Sequence, residues 1–361
     1  MEFIYKYAAL PEDQGLIMHV NASAGRLHRK LKDTDIYSLD ISEYNKRYLN
    51  ERLRNLHRTL QMYSYILLWS AANAKLPLDR IVLCDYGGGS GIMSLLAKEI
   101  GIGTVIYNDI YDVSCRDAKV LGESTGNAAE YYVEGDIDKV MGFLRKNSIY
   151  LNAFVSCDVI EHVYDIEWFF RKLYGLSEGP LSIVMSSHAN NCNPLIRKIL
   201  MKKQVDLENK DREKKWGHKE RDSLKAYFNA RKEMILEHNR DLTENEVALL
   251  ARATRGMMRP DIDRCVDEYM KTGGMPEMPG HPTNTCDPYT GNWAEHLIPP
   301  GQFKDILIRT GFEAEILKGF YGRWDNPIMR SAAFLMDIMI YVARGQGIRF
   351  APFFMLMGKK Y

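Results

Sequence analysis

The sequence predicts an α/β fold, a doubly wound, seven-stranded Rossmann-like sheet interrupted by a long helical insertion. Three observations predict it. Short apolar runs alternate with helical patterns from about residue 80 to residue 190. A turn carrying four glycines in five positions, Gly87, Gly88, Gly89 and Gly91, joins the first run to the first helix. The alternation then stops at residue 191 and resumes after residue 296.

Taken in order, residues 1–40 mix tyrosines, charges and short turns without clear periodicity. From 42 to 74, Tyr44, Tyr48, Leu49, Leu53, Leu56, Leu60, Tyr63, Leu67 and Leu68 recur at three- and four-residue intervals, which predicts one or two helices. Residues 1–75 therefore read as a helical cap and 76–190 as the core. Residues 81–84 form the first apolar run, as a buried parallel strand does. Asp85 follows, then the glycines, then a helix over 92–100 whose N-terminal amides point toward whatever lies across the turn. The second run, 104–107, ends near Asp109, about 20 residues after the glycines, where an acid accepts ribose hydroxyls. A third, 131–133, leads to Gly135-Asp136-Ile137, and a fourth, 153–157, to Asp158-Val159-Ile160-Glu161-His162-Val163. A helix over 165–176 precedes the fifth run, 181–185, which ends in Ser186-Ser187-His188.

These residues carry a family resemblance. Asp85-Tyr-Gly-Gly-Gly-Ser-Gly91 resembles the first motif of the class I S-adenosylmethionine-dependent methyltransferases, Asp109 their ribose acid, and Gly135-Asp136-Ile137 their adenine loop. Asp158 to Val163 resembles the motif after the fourth strand in their small-molecule and sugar O-methyltransferase branch. The resemblance covers about residues 60–190 and resumes from about 297. It implies S-adenosylmethionine as cofactor, contacted by Asp85, Gly87, Gly89, Gly91, Asp109, Ile110, Asp136, Ile137, Cys157 and Asp158. Tyr44 or Tyr48 would touch its methionine end, although core packing explains those aromatics as well. A nicotinamide-binding fold is the near competitor, but its fingerprint places the third glycine one position later.

The insertion, 191–296, begins with fourteen Lys or Arg against eight Asp or Glu between Arg197 and Arg240. That reads as a solvated helical face, or as a basic surface for an anionic partner. Helices follow over 244–255 and 261–271, then a loop over 273–296 rich in Pro, Gly, Thr and Asn. An insertion directly after a ligand-side strand reads as a substrate lid, and structureless loops of this length are usually functional. On it His281, Asn284, Asp287, Asn292 and Trp293 form a polar and aromatic set suited to a sugar or small natural product. The same Asn and Asp, beside Pro and Gly, are also ordinary turn formers. Residues 297–361 complete the core with a helix over 299–310, a strand over 313–320, a helix over 327–344 and a strand over 349–358. The resemblance makes the last strand antiparallel, hence a mixed sheet. Residues 328–342 are apolar almost all round, as expected of burial under the lid, a homodimer interface or contact with a lipid-like substrate.

Composition narrows the partners. With 48 Lys and Arg against 47 Asp and Glu, no global charge favours nucleic acid. The six cysteines are scattered without metal or redox spacing, which suggests reduced thiols and a cytoplasmic location. The N-terminal residues lack a signal-peptide pattern, and no run reaches the length of a membrane span.

For the chemistry, deprotonating a hydroxyl acceptor calls for a base with a pKa near the operating pH, hence histidine. His162, His188 and His296 are the candidates. The resemblance also offers Glu161, His162 and His296 as ligands of a divalent metal, with His188 or Glu295 as further donors. N-methylation, RNA methylation and an inactive cofactor-binding subunit remain the alternatives.

Overall fold

The computed structural model describes residues 3–212, 224–279 and 284–361. The chain divides into two compact units, the first holding residues up to Ile160, Ile166–Asn193 and Pro299–Tyr361, the second Glu161–Asp165 and Pro194–Ile298.

The first unit opens with α1 (Gln14–Asp33), α2 (Glu43–Arg54) and α3 (Leu56–Ala74). A strand–helix alternation follows: β1 (Val82–Tyr86), α4 (Ile92–Ile100), β2 (Thr104–Asp109), α5 (Asp112–Thr125), β3 (Tyr131–Glu134) and α6 (Ile137–Lys146). It continues through β4 (Ala153–Cys157), α7 (Ile166–Tyr174) and β5 (Leu181–Ser187). After the second unit's α8 (Pro194–Asn209), α9 (Tyr227–His238), α10 (Glu244–Ala253) and α11 (Arg259–Thr272), the first unit finishes with α12 (Pro300–Arg309), β6 (Glu313–Lys318), α13 (Pro327–Val342) and β7 (Phe354–Lys360).

The sheet runs β3-β2-β1-β4-β5-β7-β6, with β7 antiparallel to both of its neighbours. This is the doubly wound, seven-stranded mixed sheet expected from the sequence. The strand order reverses between β1 and β4, and a crevice outside the carboxyl ends of strands at such a point is where ligands enter these sheets. Strands β4 and β5 read as unbroken apolar runs because both faces are covered: Ala153, Phe154, Val155, Ile183, Val184 and Met185 are fully buried.

Two elements differ from expectation. Helix α1 shows that residues 14–33 do have a period, with Val20, Ser23, Ala24, Leu27 and Leu31 facing α3 and α4. Ser and Ala on that face hide the pattern from a hydrophobicity reading. The last strand starts at Phe354 rather than at 349, because Arg344–Arg349 winds into a 3-10 turn before the ladder begins opposite Ser187 and Lys318.

Within the second unit, Arg231 of α9 is fully buried. It pairs with Glu208 of α8 and donates to the Ala251 carbonyl of α10 at 2.9 Å, while Thr285 donates to the same Glu208 at 2.7 Å. One buried cation thus ties three helices to the loop.

Candidate functional site

The glycine turn between β1 and α4 is built for close approach. Gly87, Gly89 and Gly91 have φ of 67°, 52° and 78°, the left-handed region that L side chains avoid. The turn is pinned from β2: Gly88 N–H donates to the Asn108 carbonyl at 2.8 Å, and Tyr107 Oη–H donates to the Gly89 carbonyl at 2.7 Å. Asp109, at the end of β2, accepts from the backbone N–H of Gly89 at 3.1 Å and of Tyr111 at 2.9 Å. Those bonds fix its carboxylate beside the turn. Asp85 lies under it, fully buried, accepting from Ser94 Oγ–H at 2.7 Å. Burial pushes the Asp85 carboxyl up to about 7, with Asp109 adding to the effect and Ser94 opposing it. Asp136 caps α6, accepting from the N–H groups of Asp138 and Lys139 at 3.1 Å each. Ile137 is buried and Ile110 exposed.

Above the turn lies one face of α2. Tyr44, Tyr48 and Arg52 recur every four residues, so they share that face. Tyr44 and Tyr48 stack at 6.2 Å, Tyr44 meets Tyr111 edge-on at 5.7 Å, and the Tyr48 ring comes within 3.4 Å of where a side chain on Gly89 would begin. Arg52 donates to Tyr48 Oη at 2.9 Å. Asp117 of α5 holds the helix in place: its buried carboxylate accepts from Ser42 N–H, Ser42 Oγ–H and Asn45 Nδ2 at the start of α2. The four-residue spacing that singles out the two tyrosines extends to Arg52, which none of the family motifs includes.

At the ends of β4 and β5, Asp158 and His188 form a pair. Asp158 Oδ1 accepts from the His188 backbone N–H at 3.0 Å and lies 2.7 Å from His188 Nδ1. Asp158 has a φ of 57°, unusual for a residue with a side chain and a form of strain that gathers at functional sites. Burial alone would raise its carboxyl. The His188 ring, the hydrogen bonds from it and the Arg52 guanidinium outweigh that effect and hold it well below the usual carboxylate range. An ionised Asp158 accepts a hydrogen bond from Nδ1–H, the tautomer in which Nε2 is the ring's acceptor nitrogen. Cys157 precedes the pair at the end of β4.

The other two candidate histidines lie in the second unit. His162 Nδ1 bonds the Trp293 carbonyl at 2.8 Å, and Glu161, His162 and Glu295 bring their ligand atoms within 4.8 Å of one another. His296 lies outside that donor group, with Glu295 in the place expected for it: the His296 ring stacks on Trp293 at 3.9 Å, and burial pushes it down to about 4. Lys203 pairs with Glu295 at 2.8 Å, so a cation there would compete with an ammonium already in place.

The loop residues expected at the substrate hold the loop itself. Asn284 Oδ1 accepts from Leu297 N–H at 3.0 Å, Asp287 Oδ1 from Tyr289 N–H at 2.8 Å, and Trp293 Nε1–H donates to the Tyr164 carbonyl at 3.0 Å. His281 lies outside the described residues.

No protein-family model matches the chain, and no curated protein matches it. Among solved structures, it is similar to an S-adenosylmethionine-dependent methyltransferase from Mesorhizobium loti at 15% identity, with a TM-score of 0.39, covering 81% of this chain and 97% of that one. It is also similar to magnesium protoporphyrin IX methyltransferase from Synechocystis PCC 6803, with bound S-adenosylhomocysteine, at 13% identity, with a TM-score of 0.38, covering 95% and 97%. A third is the plantazolicin methyltransferase in complex with S-adenosylhomocysteine, at 11% identity and a TM-score of 0.39, covering 96% and 100%.

Proposed function

We propose that the protein is an S-adenosylmethionine-dependent methyltransferase that transfers a methyl group to a hydroxyl of a small molecule or sugar. The observation that carries this reading is the Asp158–His188 pair, at the carboxyl ends of β4, which neighbours β1 and its glycine turn, and of β5 beyond it.

The proposed roles follow from the positions. Gly87, Gly89 and Gly91 admit the cofactor backbone, Asp109 accepts from the ribose hydroxyls, and Asp136 and Ile137 border the adenine. Arg52, a cation on the helix face over the turn, binds the methionine carboxylate, with Tyr48 orienting it. The bound cofactor supplies a methyl group on a sulfonium, already a good leaving group. What remains for the protein is to align the acceptor and take its proton. His188 Nε2 removes that proton, and Asp158, holding Nδ1–H, fixes the tautomer and steadies the imidazolium that forms. A neutral amine acceptor would not need this pair, which favours oxygen over nitrogen. The inserted unit is proposed to select the acceptor. A divalent cation at Glu161, His162 and Glu295 is a second reading, favoured by that donor set and by the carbonyl that orients His162.

The test uses methyl-labelled S-adenosylmethionine with panels of hydroxyl and amine acceptors. The reading predicts label on hydroxyl acceptors, reduced roughly a hundredfold or more in His188→Asn and Asp158→Asn, with S-adenosylhomocysteine affinity retained in His188→Asn. Label on amines alone, or label undiminished in both variants, contradicts it.

A further inference from the structure

Helix α13 carries an apolar face that the first unit leaves open. Ala333, Asp337 and Ile340 are its buried side. Opposite them, at 100° per residue, Ile328, Leu335, Met339 and Val342 form a stripe, 80%, 62%, 45% and 68% exposed. Phe334 and Tyr341 flank that stripe, both meeting Tyr7 near 6 Å. Exposed apolar side chains in a contiguous row mark a surface that something covers.

The charges around the stripe choose the occupant. Lys6, Arg323, Arg330, Arg344 and Arg349 are exposed in the two segments that border it, residues 3–10 and 319–350. The acids in the same segments are Asp325, which is exposed, and Asp337, which is buried and accepts from the N–H groups of Tyr321 and Gly322. A second copy packed antiparallel about Leu335 would give the single exposed acid, Asp325, one cation to meet and leave the other cations of the ring facing no acid. An anionic surface would be attracted by the same ring, and aromatic side chains beside cations suit the boundary between headgroups and acyl chains. No helix among the described residues is long and apolar enough to cross a membrane, so the contact would be made along the helix, not through the bilayer.

We propose that α13 docks the protein on an anionic lipid surface, with Ile328, Leu335, Met339 and Val342 entering the headgroup boundary and Lys6, Arg344 and Arg349 neutralising headgroups. This does not rest on the methyltransferase reading.

The experiment is co-sedimentation of the full chain with phosphatidylcholine vesicles, with and without phosphatidylglycerol, at low and high salt. Partition is expected only to the anionic vesicles. It should weaken at high salt, fall by about tenfold or more in the Leu335→Ser/Val342→Ser variant, and fall by about fivefold per residue in Arg344→Ser and Arg349→Ser. Ile308→Ser, at an apolar residue 45% exposed on α12, should leave it unchanged. Thermal melts control for folding, since exposed substitutions of this kind alter stability little. Absence of partition, equal partition to neutral vesicles, or an effect of Ile308→Ser equal to that of the stripe variant overturns the proposal. A dimer in size-exclusion chromatography that Leu335→Ser/Val342→Ser dissociates, with no vesicle binding, would assign the face to a second copy.

Discussion

Asp85 shows how a single buried group sets a pH response. Its carboxyl, pushed up to about 7 by burial, titrates near 3.9 in the unfolded chain. The ionised form is thus disfavoured in the fold. The cost is absent below the unfolded value, grows as pH rises through the interval, and is fully present above 7, where it amounts to roughly 4 kcal/mol. Asparagine keeps an acceptor for Ser94 and carries no charge to desolvate. Asp85→Asn is therefore expected to melt above the parent protein at pH 8 and level with it near pH 4, as followed by circular dichroism. A gain that does not depend on pH would show that Asp85 is not held protonated in the fold. The Asp–Tyr–Gly spacing made Asp85 legible in the sequence as part of the turn. Its protonation was not legible, since that depends on the enclosure beneath β1.

At the scale of elements, the crevice depends on how α2 is anchored. Three donors at its start, Ser42 N–H, Ser42 Oγ–H and Asn45 Nδ2, converge on Asp117. Removing that acceptor strands them, at about 1–3 kcal/mol for a buried group. Tyr48 and Arg52 then lose their fixed place over Gly89. Asp117→Ala is expected to weaken S-adenosylhomocysteine binding by about tenfold, as read by calorimetry, with Asp117→Asn losing less. Unchanged affinity in both would mean that α2 does not form the roof of the site. The sequence showed α2 and α3 through their period, and the strand and turn motifs through their glycines. It did not show that Asp117, 75 residues from Ser42, is what anchors the helix. Long-range hydrogen bonds leave no local pattern. The Asp158–His188 pair, 30 residues apart, was legible only as two separate candidates for the same reason.

For the molecule as a whole, the division into two units separates two kinds of candidate residue. Asp85, Gly87, Gly89, Gly91, Asp109, Asp158 and His188 belong to the first, and Glu161, His162, Glu295 and His296 to the second. The linear order, with Asp158 and His162 four residues apart, hides this. The second unit relies on a buried charge: Arg231→Ala would leave Glu208 uncompensated and cost about 3–5 kcal/mol, seen as an earlier melting step that leaves S-adenosylhomocysteine affinity in the first unit intact. One cooperative transition with lost affinity would show that the units fold together. The central claim is that the β1 turn and Asp109 hold S-adenosylmethionine, and calorimetric titration of S-adenosylmethionine and S-adenosylhomocysteine into the parent protein and Asp109→Ala tests it most directly. The account predicts micromolar binding of both ligands by the parent protein, weakened at least about tenfold in the variant. Binding of neither ligand, or equal binding by both proteins, would contradict it.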